Sequence, residues 1–359
     1  MPVLEAPRSA PRSGPRPTAR SGSRSLSVAI VGATGAVGGE LIRVLEARDF
    51  PVASLRLLAS ARSAGRTLAF RGEPVAVEAL GDDSFEGVDL ALFAADSDTA
   101  RAYAPRARAA GALVVDNSSA FRMDLDCPLV VPEVNLDSLA HHRGIVANPN
   151  CVAILLTVAV APLQRQFGLR RLQVATYQAA SGAGQPAMDE LLASTEAFLA
   201  GQPFAPKVLP HPYAFNVFSH NEAVDPASGY NGEENKVMAE TRRILGAGAL
   251  PIGVTCLRVP VLRAHTMAVT AELDAPVPPA AVREALAEAP GVRVVDDRAA
   301  NHFPMPCEAQ GQGDVLVGRI RRDLGDPSGR SVALLLAGDQ LLKGAALNAV
   351  QIAERVLLG

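Results

Sequence analysis

At 359 residues, with 48% hydrophobic and 20% charged residues, the chain is long enough for about two domains with sizeable cores. Tryptophan is absent and aromatic residues reach only 4%, so those cores are built from Ala, Val and Leu. The net charge of −3 is unevenly spread: residues 1–24 carry five arginines (Arg8, Arg12, Arg16, Arg20, Arg24) against one acid, Glu5. The remaining body is therefore acidic, which excludes nucleic acid as its partner.

Residues 1–24 are mostly Pro, Arg, Ser and Ala and cannot bury a core, so a disordered, solvated tail is expected there. Even arginine spacing would suggest an amphipathic helix, but the interleaved prolines forbid one; the Arg/Ser bias with few acids offers a transit peptide as the alternative to a solvated tail. The longest apolar run, after Cys151, is too short to cross a bilayer, and no membrane partner is expected. Four widely spaced cysteines (Cys127, Cys151, Cys256, Cys307) form no CxxC pair. That pattern suits neither a disulfide framework nor a zinc site, so no metal is expected and a reducing cytoplasm is.

Residues 25–31 read as a strand that runs directly into Gly32-Ala33-Thr34-Gly35-Ala36-Val37-Gly38 and a helix at 40–45. The GxxGxxG spacing lets backbone approach a pyrophosphate while the helix N-terminus faces its charge. A second strand, 55–59, ends in Ser60-Ala61-Arg62-Ser63. Chains that read NAD place an acid here for the ribose hydroxyls. Hydroxyls and a guanidinium suit a 2′-phosphate, so the expected cofactor is NADP. Strands at 88–93 and 112–115, separated by a helix at 98–110, imply a parallel, doubly wound α/β sheet. Its cleft should be lined by the loops at Ser97 and at Asp116-Asn117-Ser118-Ser119.

Gly144-Ile145-Val146-Ala147-Asn148-Pro149-Asn150-Cys151 reads as a buried strand, a tight turn and the first turn of an apolar helix. Asn150 suits the cap position, and Pro149 breaks the strand ahead of it. The N–H groups and partial positive charge of a helix start stabilise a thiolate. A core cysteine has no need of such a turn, so Cys151 is the candidate nucleophile.

Beyond it the pattern changes. A strand at 172–178 runs into Ser181-Gly182-Ala183-Gly184, and a helix follows at 187–200. A proline-rich connection (Pro203, Pro206, Pro210, Pro212) leads to a helix at 233–245. Strands recur at 252–261, 266–273, 315–320 and 331–336, and the last helix spans 341–358. Strands outnumber helices, which predicts an α+β domain with a mixed sheet. The expected domains are 25–149, completed by the C-terminal helix within 340–359, and 150–339.

Several separated residues are candidates to converge on Cys151. Gln178, at a strand end before a glycine loop, could orient a thioester carbonyl or the nucleophile. Arg258 lies in an apolar strand, where an unpaired charge is expensive; a carboxylate ligand or an internal ion pair would each relieve it. His265, near a strand end, could act as a general acid/base. Glu233 and Lys236 are three apart on one helix face, the spacing of a solvated salt-bridge pair.

With these pieces in order, the chain resembles the bacterial-type aspartate-β-semialdehyde dehydrogenases over roughly residues 25–359. The glycine loop, Asp116-Asn117-Ser118-Ser119-Ala120-Phe121-Arg122-Met123, Val131-Pro132-Glu133-Val134-Asn135 and Asn148-Pro149-Asn150-Cys151 carry the likeness. So do Tyr177-Gln178-Ala179-Ala180-Ser181-Gly182-Ala183-Gly184, Glu233-Glu234-Asn235-Lys236, Arg258-Val259-Pro260-Val261 with His265, and Lys343-Gly344-Ala345-Ala346-Leu347-Asn348.

The resemblance implies a Rossmann-like NADP-binding domain and a catalytic and dimerisation domain, assembled as a homodimer or homotetramer. It implies that Cys151 attacks an acyl phosphate and carries the thioester, with His265 as acid/base and Gln178 positioning the acyl group. Arg258 and Glu233 would grip the amino-acid carboxylate and ammonium, and Arg122, Asn150 and Lys236 the phosphate. The cofactor would use Gly32, Thr34, Gly35, Ala36, Val37, Gly38, Ser60, Arg62, Ser63, Ser97, Ser181, Gly182 and Gln340. Gln340 departs from the family's usual Asn beside the nicotinamide.

The implied reaction is reduction of L-aspartyl-4-phosphate to L-aspartate 4-semialdehyde and phosphate by NADPH. It lies on the route to diaminopimelate and lysine, methionine and threonine. Two alternatives stand beside it. One is an N-acetyl-glutamyl-phosphate reductase, whose blocked amine would leave Glu233 without a partner. The other is a silent paralogue acting as an assembly subunit, which would have no need of Cys151, Gln178 and His265.

Overall fold

The structure is a computed structural model that describes residues 25–359; the tail expected at residues 1–24 lies outside the described residues. Described residues form two compact units, 25–150 with 344–359, and 151–343.

The first unit begins with β1 (Leu26–Val31), α1 (Ala36–Ala47), β2 (Val52–Ala59), β3 (Thr67–Phe70), β4 (Glu73–Ala79) and β5 (Leu90–Phe93). It continues with α2 (Ser97–Ala109), β6 (Leu113–Asp116), α3 (Pro132–Asn135) and β7 (Ile145–Ala147). The strands form a seven-stranded sheet in the order β3-β4-β2-β1-β5-β6-β7. Strands β1, β5 and β6 are near-continuous apolar runs, buried almost throughout, as the centre of a parallel sheet requires. From β1 the chain goes one way to β2, and it returns to the other side of β1 for β5. The strand order therefore reverses beside the glycine loop that follows β1, where open α/β sheets hold their ligands.

The sequence pattern implies a parallel sheet, and the structure departs from it at one edge. Strand β3 pairs antiparallel with β4 in an edge hairpin. Its residues are largely exposed, so it carries no apolar run to reveal it. Helix α1 also starts earlier than expected, at Ala36, immediately after Gly35.

The second unit comprises α4 (Cys151–Phe167), β8 (Leu169–Gln178), α5 (Gln185–Leu199), β9 (Phe218–Ser219), α6 (Gly232–Ile244) and β10 (Ile252–Arg258). After these come β11 (His265–Leu273), α7 (Pro279–Ala287), β12 (Val292–Val294), α8 (Pro306–Ala309), β13 (Val315–Arg322) and β14 (Ser331–Gly338). Its seven strands are ordered β12-β13-β14-β11-β8-β10-β9. The sheet is mixed: β8 runs parallel to β10 and antiparallel to β11. Burial alternates strictly along β11 and nearly so along β8 and β10, the period of a sheet covered on one face. Helices α4 and α6 cover that face, and the other leaves Gln173, Tyr177 and Thr255 exposed. The strand expected at 252–261 stops at Arg258, because Pro260 has no N–H to continue a ladder.

The helix expected at 341–358 is a π turn, Leu342–Ala346, followed by α9 (Leu347–Leu357). Helix α9 packs on α1, α3 and β6 of the first unit. A buried fork fastens it there: Arg48 Nε and Nη2 donate to the two carboxylate oxygens of Glu354 at 2.6 and 2.7 Å. Replacing one partner strands the other charge in the interior, at a cost of about 3–5 kcal/mol. Glu354→Gln should lower the melting temperature by roughly 6–20 °C at about 2–4 °C per kcal/mol. The Arg48→Met/Glu354→Leu pair should recover most of that loss. Thermal melts of the three variants check this, and a double variant as unstable as the single one would refute it.

Candidate active site

Strand register decides which side chains meet in the second unit. Gln178 and Arg258, the last residues of β8 and β10, are direct partners across the ladder. On the other side of β8, Thr266 sits opposite Tyr177 and Met267 opposite Thr176. His265, the first residue of β11, thus arrives at the same edge. Side chains alternate along a strand, so Gln178, Arg258 and His265 share the buried face with Thr176, Cys256 and Met267. Two helices start over that face. Helix α4 begins with Cys151, and α6 carries Glu233 in a first turn closed by a capping box between Asn231 and Glu234.

Cys151 Sγ lies 3.6 Å from His265 Nε2. The main-chain N–H of Ala179 donates to His265 Nδ1 at 3.0 Å. Because an N–H cannot accept, Nδ1 is the bare nitrogen and the neutral ring carries its hydrogen on Nε2, facing the sulfur. A thiolate is the form of Cys151 best matched to that donor. Complete burial pushes the His265 pKa well below 6.5, with the charge of Arg258 adding to it. Gly182 makes this packing possible. A Cβ there would stand 2.9 Å from His265 Cε1 and 3.1 Å from Arg258 Nη1.

Gln178 Nε2 donates to Glu233 Oε1 at 3.0 Å, and its Oε1 accepts from the Thr176 hydroxyl at 3.3 Å. Arg258, only 3% exposed, donates through Nε to Asn221 Oδ1 at 3.2 Å and through Nη1 to the Ala179 carbonyl at 3.3 Å. It stands at the end of its strand, not inside it, and these two bonds go to neutral acceptors. Glu233 and Lys236 are not the solvated pair their spacing suggested. Glu233 is buried beside Gln178, while Lys236 pairs with Glu222 at 2.8 Å.

Three residues around Arg258 carry no signal in the sequence. Asn221 contacts its guanidinium. His220 is held down to about 4, first by burial and then by the Arg258 charge. Tyr213 is fully buried, its phenol pushed up to about 12 by burial, and its hydroxyl has no hydrogen-bond partner among the described residues. All three lie on the long connection from α5 to α6, where no periodicity marks them. Gln340 proves to be engaged at both ends of its amide: Oε1 accepts from Ala264 N–H, and Nε2 donates to Ser181 Oγ.

The remaining candidates lie in the first unit. Gly32 has φ +81°, and a Cβ on it would meet the Ala94 carbonyl oxygen at 2.4 Å; a Cβ on Gly38 would meet the Gly32 oxygen at 2.3 Å. Helix α1 starts with Ala36, Val37 and Gly38, with no side-chain cap and no acid in its first turn. Its N-terminus is therefore suited to an anion. Thr34 and Gly35 form the turn before it. Ser60, Arg62 and Ser63 occupy a 3₁₀ turn directly after β2, with Ser60 and Arg62 exposed. Ser97 Oγ lies 3.0 Å from Ser119 Oγ. Arg122 is buried and donates to the carbonyls of Asn148 and Asn117 at 3.0 and 2.7 Å. Asn150, also buried, directly precedes Cys151 in the chain. Among the described residues, no group of His, Cys, Asp and Glu could hold a metal ion, and no helix is long and apolar enough to cross a membrane.

Residues 27–142 match the semialdehyde dehydrogenase NAD-binding domain, and residues 160–343 the semialdehyde dehydrogenase dimerisation domain. The aspartate-semialdehyde dehydrogenase of Synechocystis is 51% identical over 92% of this chain and 96% of its own. The chain belongs to the aspartate-semialdehyde dehydrogenase family. The Bacillus subtilis enzyme of that name is 44% identical over 92% of this chain and 96% of its own. Among solved structures, aspartate semialdehyde dehydrogenase II from Vibrio cholerae, complexed with ASA, superposes with a TM-score of 0.90. It is 40% identical, covering 94% of this chain and 99% of its own.

The buried histidines set a pH dependence. In the unfolded chain both titrate near 6.5, whereas the fold keeps His220 neutral to about 4 and His265 neutral well below 6.5. Above 6.5 neither costs stability. As pH falls below 6.5 the unfolded chain takes up protons that the folded protein refuses, so stability is lost. Between pH 6.5 and 4, His220→Gln should flatten the fall in melting temperature relative to wild type. The maximum effect is about 1.4 kcal/mol per pH unit. Parallel curves for the two proteins would contradict the assignment.

Proposed function

We propose that this protein carries out the family's reaction, reducing L-aspartyl-4-phosphate with NADPH to L-aspartate 4-semialdehyde and phosphate. The observation that carries the proposal is Cys151 at the start of α4, 3.6 Å from a histidine nitrogen that bears a hydrogen. In the forward direction the Cys151 thiolate attacks the acyl carbon. The bond from that carbon to the phosphate oxygen then breaks, its electron pair leaves with phosphate, and an acyl thioester remains on the sulfur.

The residues of the first unit fit a dinucleotide. Gly32 and Gly38 have no room for a Cβ, the first turn of α1 has no side-chain cap, and a guanidinium with two hydroxyls follows β2. Gly32, Thr34, Gly35, Ala36, Val37 and Gly38 would hold the pyrophosphate, and Ser60, Arg62 and Ser63 the 2′-phosphate. Ser97, Ser181 and Gly182 are the further candidates. NADPH supplies a hydride to the thioester carbon. Sulfur then leaves as thiolate, and the aldehyde is released. His265, the proposed acid/base group, has its available proton on Nε2. That N–H supports the thiolate before attack and the oxygen anion that develops on the carbonyl.

Arg258 offers a planar fork for the substrate carboxylate, and Glu233 a counter-charge for its ammonium. Gln178 bridges Glu233 and the acyl group. Lys236 takes the phosphate, with Arg122 and Asn150 as its further proposed ligands. The uncovered face of the second sheet, with Tyr177 and Thr255 exposed, is proposed as the homodimer contact, in a cytoplasmic enzyme.

The direct test is NADPH formation from aspartate semialdehyde, phosphate and NADP, measured beside N-acetyl-glutamate semialdehyde. Only the first should turn over well, and Cys151→Ala should abolish it while leaving the melting temperature unchanged. Glu233→Gln should hurt aspartate semialdehyde more than the acetylated analogue. Losing one charge-assisted hydrogen bond costs about 1.5–3 kcal/mol, roughly 10- to 150-fold in kcat/KM. Equal losses on both substrates would remove Glu233 from the ammonium role.

A second prediction concerns the cofactor. NADH lacks the phosphate that Arg62 is proposed to meet, so a preference for NADPH of roughly 10- to 1000-fold is expected, at about 1.4 kcal/mol per decade. Arg62→Ala should remove most of it by raising the KM for NADPH, with NADH kinetics almost unchanged. An unaltered ratio of kcat/KM for the two cofactors would place phosphate reading elsewhere.

A further inference from the structure

The ammonium proposed to receive phosphate already faces an anion of the protein's own. Lys236 Nζ donates to Glu222 Oε1 at 2.8 Å, and Glu222 comes from the connection that precedes α6. Backbone contacts bring the two segments together. Gly232 N–H donates to the Ala223 carbonyl at 3.0 Å, Asp225 N–H to the Tyr230 carbonyl at 2.9 Å, and Val224 and Asn231 form an antiparallel bridge. The segment 223–232 therefore closes on itself, and Glu222 stands at its base against the first turn of α6. Gly232, the first residue of that helix, makes the room: a Cβ there would lie 2.6 Å from Glu222 Oε2.

Glu222 is not the cap of the helix. Asn231 fills that role, in its capping box with Glu234. Nor is the pair sealed in the core, since the Lys236 and Glu222 side chains are 32% and 39% exposed. A dissolved anion can reach the ammonium, and a pair this open holds only weakly. The same short stretch touches the rest of the site: Asn221 accepts from Arg258 Nε at 3.2 Å, and His220 Nδ1 accepts from Glu222 N–H at 3.4 Å.

An ammonium has three donors, so phosphate can bind Lys236 while Glu222 remains. What Glu222 changes is the charge, because a phosphate dianion there meets a carboxylate within ion-pair distance of the same nitrogen. We infer that Glu222 is an internal competitor for phosphate at Lys236, one that weakens the hold on the free anion. The inference rests on the proposed role of Lys236 as a phosphate ligand. In the forward direction, phosphate cleaved from the acyl carbon must leave before the next acyl phosphate enters. A carboxylate that takes back the ammonium favours that departure, while the proposed substrate anchors at Arg258 and Glu233 are untouched.

Rates of NADPH formation with phosphate varied test this. Glu222→Gln keeps the size and an acceptor for Lys236 and removes the charge. The KM for phosphate should fall roughly 2- to 5-fold relative to that for aspartate semialdehyde. That is about 0.4–1 kcal/mol at about 1.4 kcal/mol per decade, within the range of a partly exposed pair. Inhibition of the forward reaction by phosphate should tighten by the same factor. In a Lys236→Met background the effect of Glu222→Gln should largely vanish. Where that background leaves too little turnover, protection of Cys151 from alkylation by phosphate gives the affinity, with Cys307→Ser added because Cys307 is exposed.

A purely structural role predicts the opposite sign: if Glu222 serves to hold Lys236 in place, losing its charge raises the KM for phosphate. A raised or unchanged KM overturns the inference, and so does a fall that persists undiminished in the Lys236→Met background. Failure of the underlying reading shows differently, as a phosphate affinity that Lys236→Met alone leaves unmoved, and the inference falls with it.

Discussion

The hydrogen bond from Ala179 N–H to His265 Nδ1, at 3.0 Å, fixes where the proton of the candidate site resides. With Nδ1 accepting, the neutral imidazole must carry its hydrogen on Nε2, 3.6 Å from the Cys151 sulfur. A doubly protonated ring would set N–H against N–H at the Ala179 contact, and it would add a cation near Arg258. Burial acts in the same direction. The site therefore holds a neutral donor aimed at the group that needs negative charge. In the proposed thioester route the charge would pass from sulfur to carbonyl oxygen and back, and one fixed N–H would serve each in turn without reorganising.

That arrangement depends on strand register. Gln178 and Arg258 are ladder partners, and His265 begins the antiparallel neighbour at the same edge. A slip of one residue in either pairing would turn one of these side chains to the exposed face. The long apolar helix α4, buried from Val152 to Leu163, covers the common face and makes such a slip costly. The geometry of the candidate site and the core packing are thus enforced by the same alternation.

This explains how much could be read from the chain. Cys151 was legible because its signal is local: Asn-Pro-Asn at a strand-to-helix turn states its own backbone geometry. The same holds for the Gly32-to-Gly38 loop, whose spacing the structure accounts for through two forbidden Cβ positions. The position of Arg258 at its strand's end is set by pairing with β8, which no window of sequence displays, and the apolar run continues three residues past the strand. His220, Asn221 and Tyr213 sit on a connection without periodicity, and only the closure of that segment over Arg258 gives them an electrostatic role. The β3–β4 hairpin escaped for another reason: an edge that faces water has no hydrophobic alternation to betray it.

The two glycine constraints differ in what they protect. Gly38 lets the first turn of α1 approach the Gly32 carbonyl, so a methyl group there would move a whole helix N-terminus. Backbone cannot give way cheaply, and the damage would fall on stability and on any anion held by that turn. Gly182 faces side chains, the His265 ring and the Arg258 guanidinium. The ring is pinned by Ala179 and cannot retreat without losing the bond that sets its tautomer. Arg258 is pinned by Asn221 and the Ala179 carbonyl. A methyl group at 182 would therefore convert a packing conflict into a chemical one, moving the Nε2 proton off the sulfur while the fold around it survived. One residue type thus guards structure in the first unit and protonation geometry in the second.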